Sequence, residues 1–231
     1  MNYSGGIRHG RSNCKNKKIE KATHNVLRLT LDKPDEIDFI PGQAAEIAVD
    51  KDGWRDEAHP FTFTSLPSED YLEFTIKIYP DHEGVTNELS KLEVGDPFII
   101  KSVFGAINYE GKGTFIAGRA GVTPFISILR NLNEEDKLSG NRFIFASSRE
   151  KDIINREELE SMLGDDFLNI LSKEDVESCA HGRIDENYLK KNITSKDDWF
   201  YVCGPEAMMD AVIDALENLG VKKDRIIKED L

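Results

Sequence analysis

Cysteine is scarce in this sequence, and basic charge is outnumbered. Cys14, Cys179 and Cys203 stand far apart, and no Cys-x-x-Cys occurs. The five histidines, at 9, 24, 59, 82 and 181, never pair at metal-ligand spacing. This pattern excludes an iron–sulfur cluster or a structural zinc of a common type, and it predicts no metal ligands. An odd, sparse set of thiols also suits a reducing compartment. Long apolar runs are missing, so nothing reads as a membrane span of about 20 residues. The opening MNYSGGIRHGRSNCKNKK carries charge without an apolar centre, unlike a secretory signal. Its Gly, Ser and Asn content reads as a loose arm over residues 1–14. A cytoplasmic protein with no membrane contact is the expectation. With 43 acidic against 30 basic residues, the net charge is −13, which argues against a general nucleic-acid binder.

The 231 residues contain two rhythms. Up to about residue 110 the period is two. Leu27, Leu29 and Leu31 share a face, Ala44 to Val49 forms a second run, and Phe61 with Phe63 marks a third. Leu72, Phe74, Ile76 and Ile78 alternate, and Phe98 to Ile100 closes another strand. Turn signals separate these runs, and one short helix is expected from Thr86 to Leu92. Strands at this spacing read as a small antiparallel barrel over residues 15–110. After Gly111-Lys112-Gly113 strands alternate with helices. Strands are expected at 114–117, 142–146, 167–171 and 199–202. Helices are expected around Phe125 to Leu132, Glu157 to Met162, Asp185 to Lys191, and from Pro205 to Gly220. The final helix would bury a stripe of Met208, Val212, Ala215 and Leu219. Such alternation implies an α/β domain with a parallel sheet over residues 111–231.

Ligands of an open parallel sheet sit at the carboxyl ends of its strands. In FIAGRAGVTPFI, Gly118 and Gly121 allow close backbone approach, with Thr123 as N-cap and Pro124 as first helical residue. An anion would face that helix start, and Arg119 adds charge there. The alternative is an ordinary tight strand–helix turn. In YVCGPEAMM, Cys203, Gly204 and Pro205 follow a strand and precede a helix, where a thiol could lie beside a ligand ring. A small buried residue is the plainer role for Cys203. GAINYEGKG has one residue too many between its glycines for a phosphate-binding P-loop, and Gly113 replaces the Ser or Thr that binds magnesium.

AHPFTFTS, residues 58–65, alternates two aromatics with two hydroxyls behind a histidine. A half-buried barrel strand explains the alternation, and so does a flat, polar-edged ring lying against it. In the order barrel then sheet, the chain resembles the ferredoxin–NADP reductase type of flavoprotein from about Lys18 to Leu231. His59-Pro60-Phe61-Thr62 is similar to the family's flavin motif of Arg, any residue, aromatic, Ser or Thr. The resemblance implies that Phe61 stacks on the isoalloxazine and Thr62 hydrogen-bonds near N5. His59 stands where the family arginine holds a flavin phosphate. Gly84, Val85 and Thr86 match the turn under the flavin pyrophosphate. Ile76, Lys77 and Ile78 take the place that contacts the ribityl chain or adenylate, and SVFGAI with Gly105 resembles the loop ending the barrel.

In the second half, Gly118, Gly121 and Pro124 resemble the family's Gly-x-Gly-x-x-Pro pattern, with Arg119 at a place usually held by glycine. Ser147, Ser148 and Arg149 follow the next strand, where relatives read the adenosine ribose. Ser148 with Arg149 would suit a 2′-phosphate, which favours NADPH over NADH while leaving either as the co-substrate. Cys203-Gly204-Pro205 matches the nicotinamide-side motif, with Cys203 near the reacting carbon. Glu229 takes the place of a carboxylate near the site, and Leu231 stands where an aromatic is expected.

The implied activity is a stand-alone NAD(P)H-dependent reductase. It would carry FAD rather than FMN, pass hydride to flavin, and give single electrons to a separate ferredoxin or flavodoxin. Thr62, Cys203 and Glu229 would serve the chemistry. The alternatives are a non-catalytic, weakly flavin-binding module of the same fold, or an electron-transfer subunit of a larger oxidoreductase.

Overall fold

A computed structural model describes residues 6–7, 11–79, 84–105 and 107–229. The chain divides into two units, residues 1–108 with 126–131, and residues 109–125 with 132–231.

The first unit is β-rich. Its strands are β1 (Gly6–Ile7), β2 (Ser12–Thr23), β3 (Val26–Asp32), β4 (Ile37–Asp38), β5 (Ala44–Val49), β6 (His59–Thr62), β7 (Tyr71–Lys77) and β8 (Pro97–Phe104). One short helix, α1 (Val85–Leu89), lies between β7 and β8. Six of the strands form a sheet in the order β6-β5-β8-β2-β3-β7, with every pairing antiparallel, while β1 pairs separately with β4. The sheet curls until its edges meet, through a bridge of Phe63 to Phe74 and a Thr64 N–H to Glu73 carbonyl bond of 2.8 Å. Closure of this kind removes exposed strand edges.

Period-two alternation places Leu29, Leu31, Ile47, Phe63, Phe74 and Ile100 in one core. Within it Phe63 stacks on Phe39 at 4.0 Å between ring centroids.

Strand β2 departs from the expected loose arm. Residues 12–14 already pair with Phe98 to Ile100. Ser12, Cys14 and Asn16 point inward, at 3, 1 and 2% exposure, while Asn13, Lys15 and Lys17 point out. Polar side chains on the inner face erase the apolar signal of a strand. They are accommodated by hydrogen bonds, Ser12 Oγ to Glu36 and Asn16 Nδ2 to the Glu93 carbonyl (3.3 Å).

The second unit is a parallel sheet in the order β12-β11-β10-β9-β13-β14. Its strands are β9 (Gly113–Gly118), β10 (Arg142–Ser147), β11 (Phe167–Leu171), β12 (Ala180–His181), β13 (Trp199–Cys203) and β14 (Ile226–Lys228). Its helices are α3 (Arg156–Leu163), α4 (Glu186–Asn192) and α5 (Glu206–Asn218), together with the two ends of α2 (Thr123–Glu134), whose residues 126–131 group with the first unit. The chain adds β10, β11 and β12 on one side of β9, then returns to place β13 and β14 on the other. The gap between β9 and β13 is therefore the point where strand order reverses.

One core layer joins Ile116, Ile144, Ile170, Phe200 and Val202 to Val212 and Leu216 of α5. An aromatic layer stacks Phe115 on Tyr201 at 4.5 Å and Phe143 on Phe145 at 5.7 Å. Tyr201 is fully buried, and its hydroxyl accepts from the N–H groups of Glu110 and Gly111, both at 3.0 Å. It donates in turn to the Gly111 carbonyl at 2.6 Å, so the segment entering β9 is pinned to β13.

Asp185 caps α4 as expected, accepting from the Tyr188 N–H at 2.7 Å. Thr123 is not an N-cap. A 3₁₀ turn, Arg119–Val122, runs directly into α2, so Thr123 is already helical and its hydroxyl donates back to the Ala120 carbonyl at 3.1 Å. Pro124 is accordingly the second residue of α2, and Pro205 is the N-cap of α5 rather than its first residue. The buried stripe of α5 is Met209, Val212, Ala215 and Leu216, one step round from the expected Met208 and Leu219.

Candidate functional site

In the first unit the motif residues lie on β6, a short strand paired to β5 with Ala45 opposite Phe61 and Ala44 opposite Thr62. His59 and Pro60 are exposed and Phe61 and Thr62 half-buried. Phe61 leans on the barrel core, which fixes its ring while leaving part of it open. The two hydroxyls of the stretch have different fates. Thr64 is fully buried and donates to the Glu73 carboxylate at 2.8 Å, whereas the Thr62 hydroxyl has no partner among the described residues. Thr62 is thus the hydroxyl available to a ligand.

At two of the positions expected at the flavin the side chains turn inward. Ile76 and Ile78 point into the barrel core at 3 and 8% exposure, so their side chains are enclosed by packing. The alternation turns Lys77 and Tyr79 outward instead, with the ammonium 5.4 Å from the Tyr79 ring centroid and Tyr79 44% exposed. Tyr79 was missed, although the same period of two that placed Ile76 and Ile78 puts it beside Lys77. Gly84 precedes α1, where Val85 is buried and Thr86 half-buried.

In the second unit the sheet brings distant residues to a single edge. Along the carboxyl ends, in strand order, stand Ser172 and Lys173 after β11, Ser147 to Arg149 at β10, Gly118 and Arg119 at β9, Cys203 and Gly204 at β13, and Glu229 after β14. The reversal point lies at Gly118 and Cys203. There the backbones press together. A Cβ on Gly121 would lie 2.4 Å from the Cys203 carbonyl oxygen and 2.6 Å from the Gly204 nitrogen. Gly204 has φ +152°, with Gly118 backbone atoms 3.0 Å from any Cβ it might carry. Gly118, Gly121 and Gly204 therefore let the ends of β9 and β13 pack against each other and against the Met208 side chain of α5, with Pro124 buried and Pro205 exposed.

Cys203 is 1% exposed, and its thiol donates to Glu229 Oε2 at 2.9 Å. Burial first, then the Glu229 charge, pushes the thiol far above its ordinary range, so it stays protonated. A Glu229 N–H to Val202 carbonyl bond (3.4 Å) continues the β13–β14 pairing and brings that carboxylate to the thiol.

At the β10 end, Ser147 Oγ is buried without a partner, an orphan that a ligand hydroxyl could satisfy. The carbonyls of Ser147 and Ser148 accept from the N–H groups of Ser172 (3.1 Å) and Lys173 (2.9 Å). Lys173 was missed, since only the sheet order places it beside Arg149. Both cations are exposed, and neither pairs with a carboxylate among the described residues. A separate cavity of about 320 Å³, lined by Asp136, Asn141, Met162 and Asp166 among others, lies at the opposite, amino-terminal end of the strands. Leu231 lies outside the described residues.

Two family models match the chain. An FAD-binding domain covers residues 11–100 and an oxidoreductase NAD-binding domain covers residues 115–214. Among curated relatives, the 2-halobenzoate 1,2-dioxygenase electron transfer component of Burkholderia cepacia is 21% identical over 84% of this chain and 60% of its own. The reductase component of propane 2-monooxygenase from Mycolicibacterium goodii is 26% identical over 90% of this chain and 64% of its own. The chain thus spans less than two thirds of the length of either relative. A ferredoxin NADP+ reductase from Neisseria gonorrhoeae, solved with bound FAD and NADP, superposes with TM-score 0.83 at 17% identity, covering 95% of this chain and 98% of that one. The likeness to that structure is one of fold; the two domain models, in the order of the barrel and the reversed parallel sheet, together span most of the chain, which belongs to the ferredoxin–NADP reductase type of flavoprotein family.

Proposed function

We propose that the chain is an NAD(P)H-dependent flavoprotein reductase that delivers electrons to a separate protein acceptor. The observation that carries this reading is the carboxyl edge of the second unit. A close-packed glycine turn, a protonated thiol bonded to a carboxylate, and an orphan serine hydroxyl occupy neighbouring strand ends around the reversal point. The first unit contributes a half-open aromatic and a free hydroxyl on one rigid strand.

The residues present fit both groups. Phe61 offers a face to an isoalloxazine ring and Thr62 a donor to its polar edge, with Lys77, Tyr79 and the Gly84–Thr86 turn along the rest of FAD. His59 offers at most two N–H donors to a phosphate, against the fork of an arginine. The turns that end β9 and β13 would face a dinucleotide backbone, and Ser147 and Ser148 its adenosine ribose. Arg149 and Lys173 together favour a 2′-phosphate, hence NADPH over NADH. The chemistry supplied by bound flavin is acceptance of hydride from NAD(P)H and release of single electrons, which no side chain performs.

This chain's own residues bind and orient. Cys203 keeps its proton, so the Glu229 charge is held by a hydrogen bond, and an uncharged surface faces a nicotinamide. The relatives described as electron transfer or reductase components support a separate acceptor, and a ferredoxin or flavodoxin is the acceptor proposed.

The test is a visible absorption spectrum of the purified protein, before and after NADPH is added without oxygen. A flavin band that bleaches is the expected result. A protein that stays colourless even after FAD is supplied would leave only the non-catalytic module of the same fold.

A further inference from the structure

The middle of helix α2, residues 126–131, groups with the barrel. Two of its side chains one turn apart, Ser127 and Arg130, meet the ends of β5 and β6. Ser127 is fully buried, and its hydroxyl accepts from the Gly42 N–H at 3.0 Å, two residues before β5. Arg130 Nη1 donates to the Thr64 carbonyl at 2.5 Å, two residues beyond β6, and to Glu73 Oε1 at 2.8 Å. The two strands are themselves joined at this end, with Ala44 opposite Thr62 and the Phe63 N–H on the Gln43 carbonyl at 3.0 Å.

Glu73 is a carboxylate at 7% exposure where the barrel closes. Its Oε1 also accepts from the Thr64 hydroxyl at 2.8 Å, and Arg28 Nε lies 3.7 Å from its Oε2. Burying such a charge costs desolvation, and apolar side chains of the same volume would close a barrel without that cost. What an apolar filling would not supply is a directional hold on the Thr64 carbonyl. That carbonyl stands two residues from Thr62, whose hydroxyl is available, and three from Phe61, whose ring is half-buried.

We infer that Arg130 is a positioning residue for the flavin: with Glu73 it fixes the end of β6, and so sets the direction of the Phe61 ring and the reach of the Thr62 hydroxyl. The inference rests on the reading of β6 as the flavin strand, and it adds to that strand a residue from a distant part of the sequence. The effect of Arg130 passes through the Thr64 backbone. Such a hold matters because a donor has to stay within about 0.5 Å of its productive place.

Equilibrium dialysis of the full chain against FAD tests this in a double-mutant cycle with Thr62→Ala. The partner change is Arg130→Met together with Glu73→Gln, so that no buried carboxylate is left unpaired. In the wild-type background, Thr62→Ala is expected to weaken FAD binding by about tenfold, the loss of one hydrogen bond. In the Arg130→Met/Glu73→Gln background the same substitution is expected to cost less than about twofold, because the hydroxyl is already out of place. Arg130→Lys, which keeps a charge beside Glu73, is expected to fall between. A Thr62→Ala effect of equal size in both backgrounds would overturn the inference and leave the pair as a clasp of the barrel alone. No effect of Thr62→Ala in wild type would overturn it as well. If Arg130→Met/Glu73→Gln does not fold, the cycle built on Arg130→Lys decides by the same comparison. A wild type that binds no FAD would sink the flavin strand itself, whereas equal effects in a protein that binds FAD remove only the role of Arg130.

Discussion

Replacing Gly121 by alanine tests the wedge at the heart of the second unit. The added methyl would lie 2.4 Å from the Cys203 carbonyl oxygen, 2.5 Å from its carbon and 2.6 Å from the Gly204 nitrogen. Ordinary contact begins at 3.4 Å, so a shortfall of about 1 Å must be met by moving backbone. No rotamer change can supply it, because the obstacle is the peptide that ends β13. Overpacking against a fixed neighbour costs about 1–3 kcal/mol. For a chain of this size each kcal/mol lowers the melting temperature by about 2–4 °C, so the expected fall is about 2–12 °C. Thermal melting and urea unfolding of the variant give the measurement. Gly118→Ala is the control, since its methyl would meet no backbone but the Met208 side chain, with Sδ at 2.3 Å, which can swing aside, and Pro205 Cδ at 3.2 Å, which need give by only a few tenths of an ångström. A Gly121→Ala protein melting within 1 °C of wild type, or no lower than Gly118→Ala, would refute the wedge.

Two further outcomes are expected. Burial, helped by the charges of Asp32 and Glu36, pushes the Cys14 thiol up to about 12, and Tyr201 likewise rises to about 12 by burial. A raised folded value favours the neutral form, so stability is complete below about pH 9 and falls as pH rises towards 12, by up to about 1.4 kcal/mol per pH unit for each such group. Urea midpoints at pH 8 and 10.5 measure this, and Cys14→Ala should show the shallower decline; a flat profile in wild type would remove the argument. His59→Arg should retain FAD more tightly than wild type through repeated desalting, because the fork replaces imidazole at the phosphate. Unchanged retention would mean that His59 never faces a phosphate.

The barrel and the sheet were legible because both rest on period. Leu72, Phe74 and Ile76 alternate in the sequence and sit in one core, and Phe125 to Leu132 repeats at helical spacing and forms most of α2. Strand β2 was illegible for the opposite reason: its inner residues are Ser12, Cys14 and Asn16, whose burial depends on partners contributed by Glu36 and Glu93. At the site, Gly118, Cys203 and Gly204 announce themselves by type, next to strand ends. Lys173 and Tyr79 do not, because one needs the sheet order and the other the choice of face. Thr123 failed as a cap because a 3₁₀ turn, which leaves no mark in composition, precedes the helix.

The position of β2 governs how the first unit can assemble. It lies inside the sheet, between β3 and β8, so the barrel's first long strand and its last are neighbours. Ser12 must find Ile100, 88 residues away in sequence, before the sheet is whole. Pairing across so long a loop costs chain entropy before contacts offset it, which slows folding. On a ribosome the strands β3, β5, β6 and β7 would emerge and wait, their apolar face uncovered, until β8 followed. A chain cut anywhere before Pro97 lacks the strand that joins β5 to β2 and leaves the barrel open.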